Sequence, residues 1–542
     1  MRMMWGMACA VALLATQPAR AAVEPPTLLV AISVDQFSTN LFNAYRSRYD
    51  GGLKRLQQGV LFPSTYHGQA ATETCPGHAT LLSGLWPAHS GIIANNWFDL
   101  SLPRADKKVY CVEDETVPGT DSRNYTVSLR HFRGQTLGDR MKEADPRSRV
   151  YSVAGKDRAA VLMGGHHADE LWWWSGQGFA SYAGRKAPVA VNRVNQQMAT
   201  AIAAGLPAPA LDPFCAARVM PVAVPGDGAL GTAPQPLDPG AARDMRVRPE
   251  LDAAVLDIAA ALVEADGLGK GAAPDLLTIS LSVTDYVGHR FGPGGPEMCA
   301  QMAALDAALG RFFQRLDATG VRYAVMLSAD HGGDDLPERN RLHGLPEATR
   351  VSSESSVAGL NAALGAKGDR LVVSDDIFTA DSIFGDLYVS RALSGKARAQ
   401  VIGRAVAWLS ARPDVARVFT REELLQVTIP KTAPDVWTLA ERAAASFDPE
   451  RSGDIVVLLK PHVTPIARPN RDIAATHGSP WDYDRRVPFL LWWPGVSGFE
   501  QPASIGAVDI MPTFAALIHL PVTGDIDGRC RDLDPGPGST CP

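Results

Sequence analysis

The chain has 542 residues, 46% hydrophobic and 20% charged, which excludes bulk disorder and allows a large core with sizeable insertions. A formal net charge of -6 without any Lys/Arg tract excludes a general nucleic-acid binder, and no nucleic-acid partner is expected. If the substrate is an anion, the positive charge that meets it must be local.

Arg2, the apolar run from Met7 to Thr16 and the small-x-small site Ala19-Arg20-Ala21 predict a signal peptide over residues 1–21. No later stretch reaches about 18 apolar residues, so no membrane anchor is expected. Of seven cysteines, Cys9 leaves with the leader, and its place inside the apolar run argues against lipoprotein processing. The six others form an even set that fits three disulfides in an exported chain; their pairing stays open, with Cys530 and Cys541 the easiest pair to propose. No C-x-x-C pair is present, which argues against thiolate zinc sites. A periplasmic or secreted location follows.

Thr27 to Val34 reads as a strand buried on both faces and ends in Asp35, where open α/β sheets place ligands. A helix over Leu53 to Gln58 and a short strand from Gly59 lead to Thr74-Cys75-Pro76-Gly77. There a hydroxyl meets the free N–H groups of a helix start, either as a helix cap or as a nucleophile beside a bound anion. Asn95, on a loop, could donate to an oxyanion. Arg149 to Val153 is a further strand, followed by Gly155-Lys156-Asp157-Arg158, whose two cations could converge on a phosphate-sized dianion. His166 and His167 lack acidic partners at ligand spacing, and residues 164–185, with Trp172-Trp173-Trp174, read as a surface subdomain.

Residues 205–248 are rich in Pro, Gly and Ala and read as a loop or cap. Helices from Leu251 to Ala265 and Glu297 to Leu316 flank the strand Leu276 to Leu281. After that strand, Asp285 and His289 stand four apart, one face of one helical turn. Tyr323 to Leu327 is the next buried strand, and it runs into Asp330-His331-Gly332-Gly333. The region from Leu336 to about Pro469 mixes short elements that the pattern does not place, among them a helix Lys396–Ser410 and a strand Asp454–Lys460. His477 lies on a loop before the strand Val487–Trp493. Asp35, Asp285, His289, Asp330, His331 and His477 make two sets of three O/N donors with positions left open, as a catalytic zinc site needs.

The stretches SVDQ, TETCPGHATLLSG, HSGIIANNWFD, SVTDYVGHRFGP, SADHGG and THGSPWDYDRRVPFLLWWPG together resemble the alkaline phosphatase superfamily. Within it they resemble the branch of Thr-type bacterial alkaline phosphatases and nucleotide pyrophosphatase/phosphodiesterases. The resemblance implies an α/β/α sandwich with a mostly parallel central sheet and cap insertions. It implies a single catalytic domain over 22–542, interrupted near 165–250 and 340–470. It also implies a Thr74 nucleophile and two zinc ions, one on Asp35, Asp330 and His331 beside Thr74, the other on Asp285, His289 and His477. Lys156 and Arg158, with Asn95, would bind the nonbridging oxygens of a dianion. Monoesterase members carry this Lys-x-Arg pair, so the expected activity is hydrolysis of small-molecule phosphate monoesters through a phosphothreonine, by a monomer. The alternative is a phosphodiesterase or nucleotide pyrophosphatase using the same two ions.

Overall fold

The run Leu28–Val34 forms the middle strand of a ten-stranded sheet. Its alternation explains why it is apolar throughout. Leu28, Val30, Ile32 and Val34 join one buried cluster, while Leu29 and Ala31 join another on the opposite face. The computed structural model describes residues 24–366, 371–374, 382–536 and 538–541, so the expected leader 1–21 lies outside the described residues.

Leu28–Val34 pairs in parallel with Asp275–Leu281 on one side and Tyr323–Ser328 on the other. Beyond Asp275–Leu281 lie Val150–Ala154 and Glu170–Trp174, both parallel. Beyond Tyr323–Ser328 lies Arg486–Trp492, antiparallel, and then Val60–Tyr66, which is antiparallel to Arg486–Trp492 and so runs with the others. Helices Pro249–Asp266 and Pro296–Ala318 cover the first face through Val255, Ile258, Leu305, Leu309 and Phe312. Helices Thr74–Ser83, Leu137–Ala144 and Ile510–Ala516 cover the second through Leu81, Leu82, Met141 and Phe514. Each fully buried aliphatic side chain in these layers contributes about 1.5–3 kcal/mol by leaving water. The result is a mixed α/β fold of helix, sheet and helix layers, as the sequence predicts.

The three tryptophans depart from expectation. Glu170–Trp174 is a strand of the central sheet, and Trp172 is only 2% exposed, so the run is sheet core and not a surface subdomain. A strand covered on both faces has no alternation to show it. The unplaced region after residue 340 contains a second sheet of four strands, in the order Val372–Ser374, Gly385–Val389, Ile455–Leu459 and Val415–Thr420, every neighbouring pair antiparallel. Helices Val357–Ala363 and Gly395–Ser410 pack on it. The cysteines pair as Cys75–Cys111, Cys215–Cys299 and Cys530–Cys541. Among the described residues no helix is long and apolar enough to cross a membrane.

Candidate active site

Parallel strands deliver their carboxyl ends to one edge of the sheet, and the predicted residues gather there. Asp35 follows Leu28–Val34, Lys156 follows Val150–Ala154, Asp285 opens the helix after Asp275–Leu281, and Asp330 and His331 follow Tyr323–Ser328. His477 arrives on the loop before Arg486–Trp492. That strand is antiparallel, so its amino end lies at the same edge.

Two clusters result. In the first, Asp285 Oδ1 lies 3.3 Å from His289 Nε2 and 3.4 Å from His477 Nε2. Helix Val283–Phe291 sets the Asp285/His289 spacing, as read from the sequence. His289 Nδ1 donates to Ala475 O at 3.1 Å and His477 Nδ1 donates to Thr72 O at 2.8 Å, so each ring turns its Nε2 lone pair inward. Burial and the neighbouring His331 push His477 down to about 3, and burial lowers His289, which keeps both rings neutral.

The second cluster holds Asp35, Asp330 and His331, all fully buried. His331 Nδ1 donates to Gly332 O at 2.8 Å, while its Nε2, 3.2 Å from Asp330 Oδ2, has no hydrogen-bond partner among the described residues; nor does Asp330 Oδ2. Burial opposes a charge on His331, yet Asp330 holds the ring up to about 9. The cluster therefore favours a cation at this point. A metal ion would satisfy both the demand for charge and the two orphaned donor atoms. The rings of His331 and His477 stack at 3.6 Å, which sets the two clusters side by side.

His78 also belongs here and was not singled out from the sequence. Its Nδ1 donates to Thr74 O at 2.8 Å, and its Nε2 lies 3.1 Å from Ser280 Oγ and 3.3 Å from Asp35 Oδ1. Its donor atoms sit close enough to Asp35 and Asp330 for the three to share an ion. The hydrogen bonds on both of its ring nitrogens make His331 the better donor, and His78 the clamp between the Thr74 turn and the carboxylates. Thr74 and His78 stand four apart on one helix, the same spacing used for Asp285 and His289.

Thr74 is the first residue of helix Thr74–Ser83, and Glu73 occupies the cap position with an extended backbone. The helix-cap alternative for Thr74 is thereby removed. Its turn is held from several directions. Cys75 is bonded to Cys111, and its backbone N–H donates to Asn95 Oδ1 at 2.8 Å. The backbone N–H of Asn95 donates in turn to Glu73 Oε2 at 2.7 Å. These bonds fix the Asn95 amide with its oxygen toward Cys75, leaving the –NH2 as the donor end. Gly77 is required by contact: a Cβ there would lie 2.1 Å from the Asp330 carbonyl oxygen.

Lys156 and Arg158 are placed differently from each other. Lys156 Nζ lies 2.5 Å from Asp285 Oδ2 and 2.9 Å from Asp35 Oδ2, bridging the two clusters. Burial opposes its charge, but Asp285 and Asp35 raise its pKa, and it in turn helps to lower theirs against burial. Arg158 Nη1 donates to Tyr110 Oη at 3.2 Å, and its Nε is buried without a partner among the described residues. Its neighbour Asp157 is occupied instead by the hydroxyls of Tyr110 and Tyr125, at 2.8 and 2.6 Å. No carboxylate forms a salt bridge to Arg158 among the described residues.

Gln36, next to Asp35, was also missed from the sequence. Its backbone N–H donates to Asp330 Oδ1 and its Nε2 to Asp285 Oδ1, each at 3.1 Å, so one buried residue orients a carboxylate of each cluster. Its φ of 62° is left-handed, a conformation that costs a non-glycine residue of the order of 1–2 kcal/mol. Helix Val283–Phe291 makes room for it at Gly288, where a Cβ would lie 1.5 Å from Gln36 Oε1.

Comparison with known proteins places this geometry. A family model described as type I phosphodiesterase / nucleotide pyrophosphatase matches residues 29–480. Alkaline phosphatase PhoD of Zymomonas mobilis is 50% identical over 518 residues, 95% of this chain and 89% of its own length. Alkaline phosphatase PhoK of a Sphingomonas species is 48% identical over 526 residues, covering 96% and 93%. The crystal structure of wild-type alkaline phosphatase PafA superposes with a TM-score of 0.77 at 27% identity, covering 92% of this chain and 96% of that one.

Proposed function

The chain belongs to the type I phosphodiesterase/nucleotide pyrophosphatase family, as an enzyme of its alkaline phosphatase branch, and we propose that it hydrolyses small phosphate monoesters through a covalent phosphothreonine at Thr74. The observation that carries the monoester reading is Arg158, a guanidinium with a buried, unpartnered Nε and no carboxylate salt bridge among the described residues. A transferable group with two negative charges gains most from such a cation, and a diester offers only one. The diesterase alternative would use the same two metal clusters.

Asp35, Asp330 and His331 would hold one zinc ion beside Thr74, and Asp285, His289 and His477 the other, in one catalytic domain over 22–542. A donor set with three imidazoles suits zinc better than magnesium, which prefers oxygen. The two ions would supply the positive charge that lowers the pKa of the attacking oxygen and balances the departing one. The Thr74 oxygen attacks phosphorus, an O–P bond forms, and the ester oxygen leaves with the bonding pair. Water then breaks the Thr74–phosphate bond and releases inorganic phosphate. The Asn95 amide, Arg158 and the Lys156 ammonium donate to the nonbridging oxygens. Helix Thr74–Ser83 adds the partial positive charge of its first turn. Gln36 and His78 orient the carboxylates without touching substrate.

Three disulfides favour an exported, periplasmic or secreted protein, and a monomer suffices because every site residue comes from one chain. The direct test is Thr74→Ala, which is expected to keep two zinc ions per chain and to lose phosphomonoester turnover. Substantial residual turnover would refute the nucleophile.

A further inference from the structure

Beside the site lies a recess open to solvent. Its walls connect it to the chemistry, since Glu73 directly precedes Thr74 and His477 and Gly478 belong to the same lining, a Cβ on Gly478 lying 3.9 Å from Glu73 Cγ. A Cβ on Gly478 would lie 3.4 Å from the ring edge of Phe384, so this ring stands directly beside the loop that carries His477. Phe447, Val456, Leu458 and Ala443 complete an apolar lining drawn from the second sheet and helix Leu439–Ser446. Among the described residues the lining contains no lysine or arginine, and its charged members, Glu73 and Asp386, are both acidic.

We propose that this recess is the leaving-group subsite and that it selects phosphate monoesters of neutral apolar alcohols, aryl alcohols foremost. The inference rests on the phosphomonoesterase reading and adds the substrate class. The departing oxygen leaves on the side of Asp285, His289 and His477, and the substituent attached to it points into the space that His477 borders. Because the recess is mostly apolar and open to solvent, a ring substituent can lie along its wall without full enclosure. Phe384 and Phe447 offer ring contacts to it. The acidic pair disfavours a leaving group with further phosphate or carboxylate groups, which would be brought near like charge.

The test compares kcat/KM for 1-naphthyl phosphate and ethyl phosphate in the zinc-loaded full-length protein and in Phe384→Ala, with phosphate release as the readout. Taking the variant-to-parent ratio for each ester cancels their different intrinsic reactivity. Phe384 is half-buried and packs against the core of the second sheet, so thermal melts of Phe384→Ala accompany the kinetics and the ratio between the two esters, not the absolute rate, is read. The expected result is a loss of roughly fivefold to tenfold on the naphthyl ester and less than about twofold on the ethyl ester, with part of the loss recovered in Phe384→Leu. Equal losses on both esters, or no loss on either, would overturn the subsite. As a second readout, the parent protein is expected to prefer phenyl phosphate to 4-carboxyphenyl phosphate, and Asp386→Asn to narrow that preference; an unchanged preference would overturn the role of the acidic wall. A parent protein that hydrolyses none of these esters would instead overturn the phosphomonoesterase reading itself.

Discussion

Gln36 offers a quantitative test, because it touches both clusters through different atoms. Its side chain donates to Asp285 Oδ1 and its backbone N–H to Asp330 Oδ1. Gln36→Ala deletes the first bond and keeps the second. A hydrogen bond to a charged acceptor contributes about 1.5–3 kcal/mol, which converts to roughly a tenfold to 150-fold loss of zinc affinity. That loss should fall on the site of Asp285, His289 and His477 and leave the site of Asp35, Asp330 and His331 nearly unchanged. Gln36→Gly removes the same side chain but relieves the φ of 62°. It should match Gln36→Ala in zinc binding while being more stable by about 1 kcal/mol. The assay is zinc competition against a chromophoric chelator, paired with thermal melts of the zinc-free proteins. Two zinc affinities indistinguishable from the parent, or equal stability of the Ala and Gly variants, would refute the reasoning.

Two further outcomes follow from other parts of the structure. Cys75–Cys111 closes a separation of 36 residues, for which chain entropy gives about 4 kcal/mol of stabilisation, and it also anchors the Thr74 turn. Cys75→Ala/Cys111→Ala should therefore lower both Tm and kcat, whereas Cys530→Ala/Cys541→Ala, on the C-terminal tail, should lower Tm with kcat retained. Asp252 accepts from Val283 N–H and Gln301 Nε2 at the start of the helix that carries Asp285, and burial raises its pKa from the ordinary 3.8 to about 7. The folded state thus holds the extra proton, and the stability this provides is complete below about pH 4 and lost as pH rises through about 7. Asp252→Asn should narrow the difference in Tm between pH 5 and pH 8; an unchanged difference would contradict the assignment.

The sequence made the candidate metal ligands legible because their positions follow from topology. Buried parallel strands read as continuous apolar runs, and Asp35, Asp285 and Asp330 stand at or just beyond their carboxyl ends. The two histidines at helical or adjacent spacing, His289 and His331, came with them. His477 was weaker by itself, since nothing local shows that its loop precedes an antiparallel strand returning to the same edge. Gln36 was illegible because its role depends on a left-handed backbone and on the space left by Gly288, distant in sequence. His78 could have been found from its four-residue spacing to Thr74. The Trp172 strand was hidden by the absence of alternation. The second sheet was hidden because its strands are short and pair across long connections. The pattern around Lys156 shows a cation at a strand end, and its bridge between Asp35 and Asp285 emerges only when three strands are laid side by side.

The most direct test of the central claim is the effect of Arg158→Ala on monoester and diester hydrolysis by the zinc-loaded protein, measured with 4-nitrophenyl phosphate and bis(4-nitrophenyl) phosphate. The parent should favour the monoester in kcat/KM, and the variant should lose at least about tenfold more on the monoester than on the diester, the worth of one charge-assisted contact to the second negative charge. Equal losses on the two substrates, or a parent that favours the diester, would contradict the account and make the protein a diesterase.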